Sequence, residues 1–156
     1  MNVGEVGERL GPTRIHHVAL IVRSIDASLE LWRDRLALAH ETTMEIASDG
    51  VRIAFLGVGE SKVELVEPID PATGVARFLE SKGEGFHHVC LEVADLAAEL
   101  DRLAAAGLEL IDRAPRRGAE GPVAFIHPRS AGGVLVELIE ARGGQAWKRL
   151  GFTLEA

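Results

Sequence analysis

Apolar residues follow two different periods along the chain, and the order of these periods repeats. Each copy opens with a strand-like run, "HHVALIV" in the first and "HHVCLEV" in the second, and a short polar turn leads into apolar positions at helical spacing. These positions predict one amphipathic helix per copy, covering one face of a sheet. The helical stripes contain Leu29, Trp32, Leu36 and Leu38 in the first copy, and Leu96, Leu100, Leu103 and Ala104, ending at Gly107, in the second.

Three shorter strand patterns follow each helix, so the repeated unit is βαβββ and the sequence predicts an α+β fold. The strands are expected at about 39–45, 51–57 and 62–67 in the first copy and at about 109–113, 123–127 and 134–139 in the second. The length of 156 residues fits one domain. We expect a single domain over 1–156, with module one at about 14–70, a linker at about 71–85, module two at about 86–141 and a C-terminal tail at 142–156.

Two segments outside the modules have helical patterns of their own. The linker contains "GVARFLESKG", and the tail contains "GGQAWKRLGFTLEA". Each predicts a short helix. Neither carries a catalytic pattern, so we expect both to be structural.

The composition narrows the classes of function. With 24 acidic and 17 basic residues the net charge is −7, which disfavours nucleic acid as a partner because phosphates are bound by clustered cations. The chain has no long uncharged apolar run, and its first ten residues carry no signal-peptide pattern, so we expect no membrane partner. Cys90 is the only cysteine, which suits a buried, inert thiol in a reducing compartment. We therefore expect a cytoplasmic protein.

Four of the six histidines form two doublets, at 16–17 and at 87–88, in the same place of the repeat. Side chains alternate between the two faces of a strand. The first histidine of each doublet therefore shares the face that a helix covers. His17 and His88 are expected on the opposite face.

One glutamate interrupts an apolar run in the last strand of each copy, Glu64 in "KVELVEP" and Glu137 in "VLVELIE". Burying a carboxylate costs free energy unless it is paired or bound to a cation. Glu64 follows His17 by 47 residues and Glu137 follows His88 by 49, so the two pairs match. Imidazole and carboxylate suit a borderline divalent ion, and the four residues predict a metal centre at the pseudo-twofold between the halves.

A single histidine or glutamate on a strand is more often structural than functional. Two matched pairs in a repeat favour metal ligation for these four side chains. The chain lacks an HExxH helix, a GxxxxGK[ST] phosphate loop and a GxSxG elbow, which removes several other enzyme classes. The remaining histidines are expected to be structural: His16, His40, His87 and His127.

With these residues in place, the chain resembles the vicinal oxygen chelate superfamily, and within it the methylmalonyl-CoA epimerase family. The resemblance covers about 14–141 and is carried by "IHHVALIV", "KVELVEP", "GEGFHHVCLEV" and "HPRSAGGVLVELIE". It implies paired βαβββ modules that form a cupped mixed β-sheet around one divalent metal, usually in a homodimer. The implied ion is Co²⁺, with Mn²⁺, Ni²⁺, Zn²⁺ or Mg²⁺ as alternatives. The ligands implied by the resemblance are His17, Glu64, His88 and Glu137.

The implied reaction interconverts (R)- and (S)-methylmalonyl-CoA, an acyl-CoA substrate, by α-proton transfer through a metal-stabilised enolate. Glu137 is the expected base on one face. Some epimerases carry the second base on the strand that matches "GVRIAFL", where this chain has Ile53. Relatives can have a neutral glutamine at the position of Glu64, whereas this chain has a carboxylate there, which can carry a proton. Glu64 is therefore expected to be the second catalytic group, as for the metal-binding glutamates of glyoxalase I.

Other functions on this scaffold stay open: glyoxalase I (lactoylglutathione lyase), an iron-dependent ring-cleaving dioxygenase, or a non-catalytic small-molecule-binding protein. A dioxygenase typically presents two histidines and one carboxylate to Fe(II), so a second carboxylate favours proton transfer. Retention of all four ligand-type residues disfavours a binding protein without a metal. The loop "RAPRRGAEG" and Arg129 offer cations for CoA phosphates, and a solvated charged loop explains them equally well.

Overall fold

The computed structural model describes residues 10–153. By their contacts the residues divide into two compact units, one of residues 16–89 and the other of the described residues before His16 and after Val89. The first nine residues, for which no signal peptide is predicted, and the last three residues of the predicted tail lie outside the described residues. The single-domain description and its module boundaries stay a prediction.

The unit of residues 16–89 is built on a mixed four-stranded arrangement in the order β2 (Ala39–Ile46), β3 (Val51–Val58), β4 (Ser61–Pro68), β1 (Arg14–Ile21). Strand β1 runs parallel to β4, and the β2–β3 and β3–β4 pairs are antiparallel. Two helices accompany these strands, and the first continues into a π-helical segment. The elements are β1 (Arg14–Ile21), α1 (Ile25–Leu29) with the π-helical segment Glu30–Arg35, β2 (Ala39–Ile46), β3 (Val51–Val58), β4 (Ser61–Pro68) and α2 (Gly74–Lys82).

Alternation along β1 separates two apolar clusters in this unit. Val18 and Leu20 pack against the cluster that contains Ile25 of α1, whereas Ala19 and Ile21 belong to a second cluster. Residues of α2 pack against that second cluster. Because odd and even positions of a strand face opposite sides, this arrangement confirms the predicted faces of the first module. The predicted linker helix is also confirmed, and it covers the face that carries Ala19 and Ile21.

The other unit repeats the order of elements, and its strands lie in the order β5 (Gly85–Val93), β8 (Val136–Glu140), β7 (Pro122–Ile126), β6 (Arg116–Arg117). Residues 85–89 of β5 belong to the first unit, and residues 90–93 belong to this one. Strand β7 pairs antiparallel with both β6 and β8. The βαβββ order of both modules and the α+β class are confirmed, as is a short helix in the tail. The elements are β5 (Gly85–Val93), α3 (Leu96–Ala105), β6 (Arg116–Arg117), β7 (Pro122–Ile126), β8 (Val136–Glu140) and α4 (Gln145–Arg149).

The predicted strand at 109–113 is wrong. Within it Leu110 makes a single bridge to Ile126, and the backbone amides of Ile111 and Asp112 both donate to the Phe125 carbonyl. The Asp112 side chain accepts the Phe125 N–H at 2.9 Å, a donor that a regular ladder would pair with a backbone carbonyl. This side-chain bond interrupts the ladder, and the short strand β6 forms further along the chain.

The same capping arrangement starts α1 and α3. Ser24 and Asp95 are N-caps whose side chains accept from Ala27 N and Ala98 N. In addition, a glutamate near the end of the last strand of the same unit reaches the first helical amide: Glu67 accepts from Ile25 N at 3.1 Å, and Glu140 accepts from Leu96 N at 3.2 Å. A helix N-terminus carries partial positive charge, so these carboxylates stabilise the position of each helix on its strands.

Glu140 has a second structural role in its unit. Its carboxylate accepts from Trp147 N at 3.1 Å, and its carbonyl accepts from the Trp147 indole at 3.0 Å. With a relative exposure of 2%, Glu140 therefore joins β8, α3 and α4. Within residues 10–153 no helix combines the length and apolar character needed to cross a membrane.

We predict that Glu140→Ala lowers the free energy of unfolding by about 3 kcal/mol, since two buried amide donors lose their acceptor at roughly 1–3 kcal/mol each. The matched control is Glu67→Ala, whose side chain is 22% exposed, and whose loss is expected to cost about 1 kcal/mol because water can replace the carboxylate. Urea unfolding midpoints measure both. Equal shifts in the two variants would contradict the role assigned to Glu140.

Candidate metal centre

Two imidazole rings from strands far apart in sequence meet inside the unit of residues 16–89. The Nε2 atoms of His17 on β1 and His88 on β5 lie 3.3 Å apart, and the ring planes are 72° from parallel. Both residues are buried, with relative exposures of 3% and 5%. The two histidines that the repeat singles out therefore direct the same ring nitrogen to one point.

Each of these rings is held at its other nitrogen by the preceding histidine. His16 Nδ1 lies 2.9 Å from His17 Nδ1, and His87 Nδ1 lies 2.8 Å from His88 Nδ1. Aromatic rings add edge contacts to both doublets, Phe55 to His17 and Phe78 to His87. The sequence reasoning did not identify these two phenylalanines as part of the surroundings of the doublets.

Glu64 is the third ligand-type group in the same unit. One carboxylate oxygen lies 3.9 Å from His17 Nε2, and the residue is 8% exposed. The strand register explains this position, because Glu64 is the Cα partner of Ala19 on β1, two residues from His17, and of Phe55 on β3. Glu64 thus lies on the same face as His17. Three of the four predicted ligands belong to this unit, and His17 lies close to each of the other two.

The distance between the two histidine nitrogens fits ligation of one divalent ion. With metal–nitrogen bonds of about 2.1 Å, two ligand nitrogens lie about 3.0 Å apart at a right angle and about 3.4 Å apart at a tetrahedral angle. The Nε2 separation of 3.3 Å falls between these values. The His17–Glu64 distance of 3.9 Å is also shorter than the roughly 4.2 Å that separates two ligand atoms on opposite sides of one ion. Two neutral imidazoles and a carboxylate suit a borderline divalent metal.

Glu137 belongs to the other unit, where it occupies the position that Glu64 has in the first. Glu137 on β8 is the Cα partner of Phe125 on β7, just as Glu64 is the partner of Phe55. Its relative exposure is also 8%. The repeat therefore extends to the cross-strand register of the two glutamates. Ligation by Glu137 remains a prediction.

The position where some epimerases carry a second base is apolar here. Ile53 has a relative exposure of 2% and lies in the cluster that contains Ala19 and Phe55. It pairs with Val66 on β4 and Met44 on β2. No carboxylate stands at this position, so Glu64 is the acidic side chain that this part of the unit presents beside His17.

Two of the remaining histidines have local structural contacts. His40 Nε2 is 2.7 Å from Thr43 Oγ1 on the exposed strand β2. His127 caps the 3₁₀ turn Pro128–Ser130, and its Nδ1 accepts from Arg129 N. These contacts agree with the structural roles expected for both. Sequence reasoning also expected structural roles for His16 and His87, which the structure places directly against the two candidate ligands.

Three of the four arginines proposed for CoA phosphates make contacts within their own unit. Arg116 pairs with Asp112 at 3.2 Å, and Arg117 lies over the Phe152 ring at 4.2 Å. Arg129 is 3.8 Å from Glu109. Exposed ion pairs of this kind contribute little to stability, so these side chains can exchange partners. A CoA-binding role for this loop stays a prediction.

Known proteins resemble this chain over most of its length. The family model described as Glyoxalase/Bleomycin resistance protein/Dioxygenase superfamily matches residues 16–125. The chain is 41% identical over 135 residues to the uncharacterized protein YqjC of Bacillus subtilis, covering 85% of this chain and 95% of that protein. It is 36% identical over 128 residues to the ethylmalonyl-CoA/methylmalonyl-CoA epimerase of Cereibacter sphaeroides, covering 80% of this chain and 96% of the relative. The crystal structure of methylmalonyl-CoA epimerase from Mycobacterium tuberculosis aligns with a TM-score of 0.79 at 33% identity, covering 83% of this chain and 88% of that chain.

We predict that His88→Ala lowers the affinity for Co²⁺ by more than about 100-fold, because loss of a direct ligand costs more than the 10–100-fold typical of the groups that support ligands. Isothermal titration calorimetry on the metal-free protein measures this affinity. His40→Ala, which removes an exposed histidine bonded to Thr43, is the matched control and should bind Co²⁺ like the wild type. An unchanged affinity of His88→Ala would exclude His88 as a ligand.

Proposed function

Because the chain belongs to the Glyoxalase/Bleomycin resistance protein/Dioxygenase superfamily, we propose that it acts as a metal-dependent methylmalonyl-CoA epimerase. The resemblance to the epimerase family noted in the sequence is confirmed by relatives that cover most of the chain. The reaction, the substrate and the residue roles are the proposal. The cytoplasm as location and a homodimer as assembly are part of it.

One observation carries the proposal: the 3.3 Å approach of two buried imidazole nitrogens with a carboxylate 3.9 Å from one of them. Buried polar groups require partners, and a cation satisfies two nitrogen lone pairs and a carboxylate together. Glu137, at the equivalent position of the second module, is proposed as the fourth ligand. We favour Co²⁺, with Mn²⁺, Ni²⁺, Zn²⁺ or Mg²⁺ as alternatives.

A divalent ion held by these residues would act as a Lewis acid toward the oxygens of the substrate. The side chains of the protein would transfer the proton of the substrate α-carbon. The α-carbon of methylmalonyl-CoA lies between a thioester and a carboxylate, so breaking its C–H bond sends the electron pair into the thioester carbonyl. We propose that the Glu137 carboxylate accepts that proton and that Glu64, in its protonated form, returns one to the opposite face.

The position of Ile53 supports the role of Glu64. An apolar side chain with 2% exposure can neither accept nor donate a proton, so a second base must come from elsewhere. Glu64 faces the same side as His17, and the protein interior around it raises the strength of each electrostatic contact. Since inversion needs one proton carrier on each face of the α-carbon, two glutamates at matching positions of a repeat suit the reaction.

The first test of the roles follows α-proton exchange from a single enantiomer of methylmalonyl-CoA in deuterated water by NMR, with Co²⁺-loaded protein. Glu137→Gln is expected to slow inversion by about 10²–10⁴-fold, the usual contribution of a general base. Glu64→Gln is expected to stop inversion while one enantiomer still exchanges its proton, because the base on that face remains. Inversion at the wild-type rate in either variant would exclude that glutamate as a base.

A substrate comparison tests the reaction class. We expect the Co²⁺-loaded protein to invert methylmalonyl-CoA and to leave the glutathione–methylglyoxal hemithioacetal unchanged. In parallel, the Fe²⁺-loaded protein should consume no oxygen with catechol, since two carboxylates in the ligand set disfavour the open positions that a dioxygenase needs. Turnover of the hemithioacetal without inversion of methylmalonyl-CoA would replace the proposal with a glyoxalase.

A further inference from the structure

His16 and His87, the two remaining histidines of the doublets, were expected to be structural. Each contacts a candidate ligand at its Nδ1 atom. In each doublet the Nδ1 atoms of consecutive histidines are within hydrogen-bond distance, at 2.9 Å for His16–His17 and at 2.8 Å for His87–His88. The same contact thus occurs in both modules. Such a repeated contact argues against a chance arrangement of neighbouring rings.

One hydrogen must lie between each pair of Nδ1 atoms. Two N–H groups at this distance would repel each other, as would two lone pairs, so one ring donates and the other accepts. The Nε2 atom of a ligating histidine must carry a lone pair, and a neutral imidazole then has its hydrogen on Nδ1. His17 and His88 can therefore bind a metal through Nε2 when they donate through Nδ1.

We propose that His16 and His87 are positioning residues that fix the tautomer and the ring orientation of the metal-binding histidines. Each accepts a hydrogen bond at its own Nδ1 and carries its hydrogen on Nε2. This inference rests on the proposed metal centre. It adds a specific function to the first histidine of each doublet, and it explains why the chain contains "HHV" twice.

The surroundings of the doublets hold the acceptor rings in place. His16 is 7% exposed, and its ring centroid lies 5.1 Å from that of His17. His87 has the ring edge of Phe78 from α2 at 5.2 Å between centroids. An acceptor that cannot rotate away keeps the ligand ring oriented in the absence of the ion, which reduces the entropy lost on binding. Groups that orient metal ligands in this way typically contribute 10–100-fold to metal affinity.

The test compares two substitutions at each position. Asparagine places its amide oxygen where histidine has Nδ1 and can accept the same bond, whereas leucine has a methyl group there. We expect His16→Leu and His87→Leu to weaken Co²⁺ binding by about 10–100-fold, and His16→Asn and His87→Asn to stay within about threefold of the wild type. Calorimetry gives the affinities, and the visible absorption of bound Co²⁺ reports the geometry of the ligands.

Thermal unfolding of the metal-free variants separates positioning from stability. A purely structural role would lower the unfolding temperature and leave the Co²⁺ affinity of the folded variant unchanged, and that result overturns the proposal. Where a leucine variant does not fold, ¹⁵N NMR of the Zn²⁺-loaded wild type tests the proposal by locating the hydrogen on each imidazole ring. Hydrogens on Nδ1 of His17 and His88 and on Nε2 of His16 and His87 support the proposal, and the reverse assignment overturns it.

These readouts use no substrate, so they are independent of the epimerase reaction. Intact metal binding with the expected tautomers and no inversion of methylmalonyl-CoA would count against the proposed reaction alone. A wild-type protein that binds neither Co²⁺ nor Zn²⁺ would overturn both the metal centre and the positioning roles.

Discussion

The arrangement of this protein depends on the cost of burying polar groups in an apolar sheet. His17, His88 and Glu64 lie among strands whose neighbouring positions are alanine, isoleucine, valine and phenylalanine. Unpaired, each polar group would destabilise the fold by a few kcal/mol. The Nε2 atoms of His17 and His88 lie 3.3 Å apart and a Glu64 oxygen lies 3.9 Å from His17 Nε2, so each group has a polar partner and the two imidazoles present nitrogens that a divalent ion can bind. The stability of the fold and the candidate chemistry therefore depend on the same contacts.

Duplication explains how the fold places these groups. The two modules share the positions of the histidine doublets, and they also share the cross-strand pairs Phe55–Glu64 and Phe125–Glu137. The carboxylates that cap α1 and α3 follow the same rule, with Glu67 and Glu140 each three residues after the interior glutamate. The last strand of each module thus carries two glutamates with different roles. The first faces the interior of the sheet, and the second holds a helix N-terminus.

The modules also differ, and the differences have physical causes. The first module has a π-helical segment after α1, whereas α3 in the second is a regular helix of ten residues. Glu67 is partly exposed and close to Arg52, while Glu140 is buried and joined to Trp147 of α4. The second module therefore relies on its tail helix to enclose the capping carboxylate. In the first module, the capping carboxylate of Glu67 instead contacts Arg52 and solvent.

The sequence by itself determined the α+β class, the βαβββ order and the four candidate ligands, because alternation at period two assigns faces and a repeat doubles the signal. The strand that it predicted at 109–113 is absent, since the Asp112 carboxylate competes with the backbone for the Phe125 amide. The sequence also could not reveal the pairing of Nδ1 atoms within each doublet, because strand alternation predicts that consecutive side chains point apart. The meeting of His17 with His88, 71 residues away, was decided by tertiary structure, which alone sets ring orientations and distances between strands that are remote in sequence.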